Sequence, residues 1–108
     1  MSIKPVIPRQ QAHRDVDDIL AWYLEQASPV VALAFVDAIE GAYRHLGQAP
    51  ASGSPRYAHE LNLPGLHCWR LEAYPYLIFY IDQPEAIDIW RVRHAQRDIP
   101  AWLEKEAF

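Results

Sequence analysis

Three observations predict an α+β fold with an N-terminal strand and an antiparallel αα-hairpin packed on a three-stranded antiparallel meander, closed by a short C-terminal helix. Two segments between Arg9 and Gln48 carry apolar residues at three- and four-residue spacing, the signature of one buried helical face. The small and rigid residues Ala49-Pro50-Ala51-Ser52-Gly53-Ser54-Pro55 then forbid a continuing helix. From Leu66 to Arg93, β-branched and aromatic residues dominate, interrupted only by short turn sequences.

Each element has its own warrant. Lys4 to Ile7 is short and β-capable; Pro5 lacks an amide donor and confines it to a sheet edge, and Pro8 ends it. In the first helix, about Arg9 to Ala27, the face is Ala12, Val16, Ile19, Leu20, Tyr23 and Leu24, while His13, Arg14, Asp17, Asp18 and Glu25 take the wet side. Ser28 is placed to cap the second helix and Pro29 to occupy its first position, where no amide donor is needed. That helix runs to about Gln48 with Val31, Phe35, Ile39, Ala42, Tyr43 and Leu46 inward. So short a connection makes the pair antiparallel. Arg56 to Asn62 reads as a weak strand or an irregular segment, and Leu63-Pro64-Gly65-Leu66 suits a type II turn. Strands follow at about Leu66 to Ala73, Tyr76 to Asp82 and Ala86 to Arg93, joined at Tyr74-Pro75 and Gln83-Pro84-Glu85. Asp98 caps a short final helix with Pro100 in its first turn and Trp102 and Leu103 apolar.

Composition narrows the function classes. The 108 residues amount to one domain, 1–108, and 51% hydrophobic content marks a folded protein. A single cysteine, Cys68, suits a reducing cytoplasm and forms no internal bridge. No stretch approaches a membrane span or a signal peptide, so a cytoplasmic protein without membrane contact is expected. Ten Lys and Arg against fourteen Asp and Glu give a net charge of −4, which argues against a surface that grips many phosphates. No sequence-specific nucleic-acid binding by the chain alone is expected. His13, His45, His59 and His67 lack metal spacing, Ser52 and Ser54 lack a nucleophile pattern, and neither cofactor nor metal is expected.

The strands pose a packing problem. Leu77, Phe79 and Ile81 alternate with Tyr76, Ile78 and Tyr80, and Ile87 and Ile89 alternate with Trp90 and Val92, so both faces of the meander read as apolar. The hairpin covers only one. Either the C-terminal helix or a partner covers the other; a short helix with Trp102, Leu103 and Phe108 is small for the task, and the reading favours a partner. Arg91, Arg93, His94 and Arg97 form a basic cluster at the end of the last strand, suited to a phosphate, a partner's carboxylates or solvent. His94 by itself offers a general acid.

Asp18-Ile19 with Tyr23, Phe35 with Ile39-Glu40 and Leu46, Pro50 with Gly53-Ser54 and Arg56, Tyr76-Leu77-Ile78-Phe79-Tyr80, and Arg91-Val92-Arg93-His94 to Pro100 follow one another along nearly the whole chain. Together, in this order, they resemble ParE-type toxins of the ParE/RelE superfamily. The resemblance implies a toxin of a type II toxin–antitoxin module that inhibits DNA gyrase by binding and is neutralised by a ParD-like antitoxin in a hetero-oligomer. It implies antitoxin contacts at Trp69, Tyr80, Trp90, Arg91, Arg93 and Arg97, and target contacts at His94, Trp102 and Leu103, with no catalytic residue. The rival class is a RelE-like ribonuclease that cuts ribosome-bound messenger RNA, for which Arg70, Arg91, Arg93 and His94 are the available groups; lysines on the meander and a Tyr after the last strand are missing. A third reading is an inactive toxin fold kept as an interaction module.

Overall fold

The structure, a computed structural model, describes residues 3–60 and 62–95. An edge strand β1 (Val6–Pro8) leads into helices α1 (Gln10–Gln26) and α2 (Pro29–Gln48). A 3-10 turn (Pro50–Ser52), the short helix α3 (Arg56–Glu60) and strands β2 (Leu66–Arg70), β3 (Tyr76–Asp82) and β4 (Ile87–His94) follow. The sheet order is β1-β4-β3-β2, with β1 parallel to β4 and the other pairs antiparallel. The expected C-terminal helix, with Trp102 and Leu103, falls outside the described residues.

Local chemistry accounts for the boundaries. Ser28 Oγ accepts the Val31 amide at 3.2 Å and Pro29 opens α2, so one of the orphan donors of the first turn is satisfied. In the turn before β2 the Leu66 amide donates to Leu63 O at 3.1 Å and Gly65 takes φ +88°, the left-handed position that a type II turn gives to glycine. Between Arg56 and Asn62 the sequence reading of a weak strand or irregular segment is corrected to a helix. Ser54-Pro55 repeats the Ser28-Pro29 signal, and Ser54 Oγ accepts the Arg56 amide at 3.2 Å.

The register of β4 carries a second correction. Phe79 faces Arg91 while Tyr80 faces Ile89, so Trp90 is an extra residue, a β-bulge. A bulge reverses side-chain parity beyond it. Ile87, Ile89 and Val92 therefore share the helix-facing core, although strict alternation places Val92 opposite the two isoleucines. That core also holds Phe35, Ile39, Leu46, Ile78 and Tyr80 from α2 and β3.

The other face is closed within the chain rather than left for a partner. Leu66, Cys68, Leu77 and Phe79 are buried there, with Phe79 at 0% exposure. The Tyr57 ring of α3 lies 5.5 Å from that of Phe79, so a helix absent from the sequence reading supplies part of the cover.

Gly53 is held in the tightest approach of the loop. Its amide donates to Tyr80 Oη at 2.9 Å, and the same hydroxyl donates to Pro50 O at 2.7 Å. A Cβ at this position would sit 2.5 Å from Tyr80 Oη, 2.8 Å from Tyr80 Cε1 and 2.9 Å from the strand carbonyl Cys68 O. Gly53→Ala should therefore cost about 1–3 kcal/mol by overpacking, and Tyr80→Phe about 1–3 kcal/mol by stranding buried polar groups. Urea unfolding measures both; a change under about 0.5 kcal/mol in either would show that the loop relaxes freely.

Candidate functional site

The site grows from one acid on the wrong side of a helix. Along α1, Ala12, Asp15, Val16 and Ile19 follow helical spacing, so Asp15 lies on the apolar stripe and is only 8% exposed. A carboxylate in that position must be paired. Arg91 answers it side-on: Nε donates to Oδ2 at 2.7 Å and Nη2 to Oδ1 at 2.9 Å. The Val92 amide adds a third bond to Oδ2 at 3.0 Å.

Sheet topology explains why that amide is available. β1 ends at Pro8 opposite Ile89, and the Arg9 amide makes the last link, to Ile89 O at 2.9 Å. Past Ile89 the outer edge of β4 meets α1 instead of a strand, and Asp15 supplies the acceptor a strand would have given. Arg93 Nη1 reaches Asp15 Oδ1 at 3.8 Å and leaves 38% of its side chain exposed. Burial first, and then the negative charge of Asp15, push the Tyr43 hydroxyl up to about 12. Its folded pKa lies above the ordinary value of 10, so the neutral phenol's contribution to stability is complete below pH 10 and fades as pH rises toward 12.

Beside this pair lies a cleft of about 240 Å³, lined by Asp15, Asp18, Ile19 and Trp22 of α1 and by Tyr76, Val92, Arg93 and His94 of the sheet. The His94 ring meets Tyr76 edge-on, with centroids 5.4 Å apart. Trp22, 49% exposed, forms the outer wall.

The structure divides the residues expected to bind partners. Tyr80 is wholly buried, and Arg91 is buried against Asp15, so little of either side chain lies on the surface. Trp69 is half-buried against the helix-facing core, and its ring lies tilted against that of His45 with centroids 4.7 Å apart. Trp90, on the other face, lies beneath the Arg9 guanidinium at 4.2 Å and donates Nε1–H to Asp88 at 3.2 Å. Arg93 and His94 meet at the cleft. Arg97, Trp102 and Leu103 are outside the described residues. Asp15, Asp18, Ile19 and Trp22 were missed as site residues, and the signal for Asp15 was an acid inside an apolar helical stripe.

Among the described residues no group of three or more His, Cys, Asp or Glu side chains is arranged to hold a metal, and no helix is long and apolar enough to cross a membrane. Burial pushes the Cys68 thiol up, away from the thiolate that nucleophilic chemistry requires.

The sheet order and hairpin define a small α+β fold. The structure aligns with a chain of the "Chromosomal ParDE TA system from P. aeruginosa" at a TM-score of 0.74 and 23% identity, covering 87% of this chain and 98% of that one. Residues 6–99 match the family "ParE toxin of type II toxin-antitoxin system, parDE", and the chain belongs to that family. A search of the curated proteins returns no match.

Proposed function

We propose that this ParE-family toxin acts by binding DNA gyrase in the cytoplasm, as one domain of residues 1–108, and that a ParD-like antitoxin silences it in a hetero-oligomer. The observation that carries the choice of binding over cutting is the side-on Arg91–Asp15 pair. Cleavage of RNA needs cations to neutralise the phosphate and a group placed to move a proton from the 2′-hydroxyl. Arg91 is already neutralised and buried. Arg70 lies on β2, two strands from β4, a separation of about 10 Å. His94 packs on the edge of Tyr76. Of the four groups a nuclease would use, Arg93 and His94 line one cleft, while Arg91 is neutralised beside it and Arg70 lies across the sheet.

Expression in cells separates the readings. The binding reading expects a gyrase-dependent DNA-damage response with messenger RNA intact, and the response should persist in a strain whose RNA is probed at ribosome-bound sites. RNA cleavage that disappears in His94→Ala, without DNA damage, would establish the nuclease instead. Inertness in both assays would leave the interaction module.

A further inference from the structure

We propose that the outer face of the α1–α2 hairpin is the surface that takes hold of the target, and that it receives a basic amphipathic helix, apolar at one end with Lys or Arg one and two turns further on. This rests on the reading that the chain inhibits gyrase by binding it, and it names the kind of surface on that target.

The apolar part comes first. Leu24 near the end of α1 and Val30 and Leu33 at the start of α2 leave 51%, 77% and 64% of their surface exposed. Only Ala27 and Ser28 separate the two packed helices, so all three lie at the closed end of the hairpin. Exposed apolar residues scattered singly are ordinary; a group of them on adjoining turns of two packed helices is a patch, and patches mark contacts.

Charge decides the occupant. From residue 15 to residue 43 the acids are Asp15, Asp17, Asp18, Glu25, Asp37 and Glu40, and there is no Lys, Arg or His. Asp15 is taken by Arg91. The other five are exposed and, among the described residues, make no ion pair. A solvated helix pair ordinarily mixes both signs, with pairs at i,i+4 relieving the repulsion. Here the balancing cations are left to a partner.

Helical spacing fixes the arrangement. Leu33, Asp37 and Glu40 stand at i, i+4 and i+7 on α2, and Asp17, Leu20 and Leu24 at i, i+3 and i+7 on α1, so each helix carries one row. The helices are antiparallel neighbours, which sets the leucines of both rows at the closed end and the acids one to two turns away. Leu33 to Glu40 spans about 10 Å along the axis, the length of two turns of a docked helix. Such a contact reads its partner at the same i, i+4 and i+7 positions. A target that handles DNA meets its phosphates with Lys and Arg, so basic surface is what that target has to offer.

The test is binding of the full-length chain to purified gyrase, followed by surface plasmon resonance. Leu33→Ser, and separately Asp37→Lys combined with Glu40→Lys, should each weaken binding roughly tenfold or more. Glu72→Lys combined with Glu85→Lys makes the same change of net charge in the turns on either side of β3 and should stay within about twofold of wild type. All five positions are exposed, and circular dichroism confirms that the variants fold. Wild-type affinity should fall as salt rises, and fall less steeply in the hairpin reversal. Binding that both hairpin variants retain, or that the turn reversal weakens as much as the hairpin reversal, would overturn the docking surface and leave the gyrase reading standing. Loss of antitoxin binding or of self-association in the hairpin variants, with gyrase binding intact, would overturn it in favour of that other occupant. A wild-type chain that does not bind gyrase would overturn the gyrase reading and the proposal with it.

Discussion

Asp15→Ala should destabilise the fold by about 3–5 kcal/mol, because it leaves the Arg91 guanidinium buried without its acid. Three bonds disappear together: two from Arg91 and one from the Val92 amide. Against a typical domain stability of about 5–15 kcal/mol, this approaches unfolding at physiological temperature. Arg93→Gln is the contrast, since that contact is longer and its side chain wetter; it should cost less than about 1 kcal/mol. The double replacement Asp15→Leu with Arg91→Met removes both charges and should recover much of the loss, as apolar replacements of buried pairs do. Urea midpoints distinguish these outcomes. A loss under about 1 kcal/mol for Asp15→Ala would mean that solvent reaches Arg91 and the pair does not organise this end of the sheet.

Phe35→Ala is the second large effect, about 3–5 kcal/mol. The side chain is completely buried on the inner face of α2, with ring centroids of Tyr23, Tyr74 and Tyr76 at 5.6, 5.4 and 5.8 Å. It joins both helices to the turn before β3 and to β3 itself, so its removal opens a cavity that three rigid rings cannot readily fill. Edge-on ring contacts worth about 0.5–1.5 kcal/mol each are lost as well. Val30→Ala, at 77% exposure on the same helix, should stay within about 0.5 kcal/mol of wild type. Thermal unfolding of the two variants side by side tests whether the hairpin is held by this aromatic cluster; equal melting temperatures would say that it is not.

The hairpin and meander were legible because their signals are local. Ser28-Pro29 opens α2 and Gly65 turns the chain into β2 as their residue types require. The bulge at Trp90 was not legible, since strict alternation is the default and an extra residue shows only in the pairing register. Its cost to the reading was the misassigned face of Val92. Helix α3 was overlooked although Ser54-Pro55 carries the same capping logic as Ser28-Pro29; five residues are too few for apolar periodicity to register. At the site, Arg93 and His94 were named from sequence and do line the cleft. Asp15 was not named, because a pair that spans 76 residues has no local trace. Tyr80 and Arg91 were read as surface groups because residue type alone does not say which side of a strand, or which helix, will cover them.

Inhibition of DNA supercoiling by purified gyrase, with the purified chain added alone and then with its antitoxin, tests the central claim most directly. The account predicts concentration-dependent inhibition that the antitoxin relieves, with no cleavage of ribosome-bound RNA in parallel reactions. Undiminished supercoiling by folded protein, together with RNA cleavage that requires His94, would contradict it.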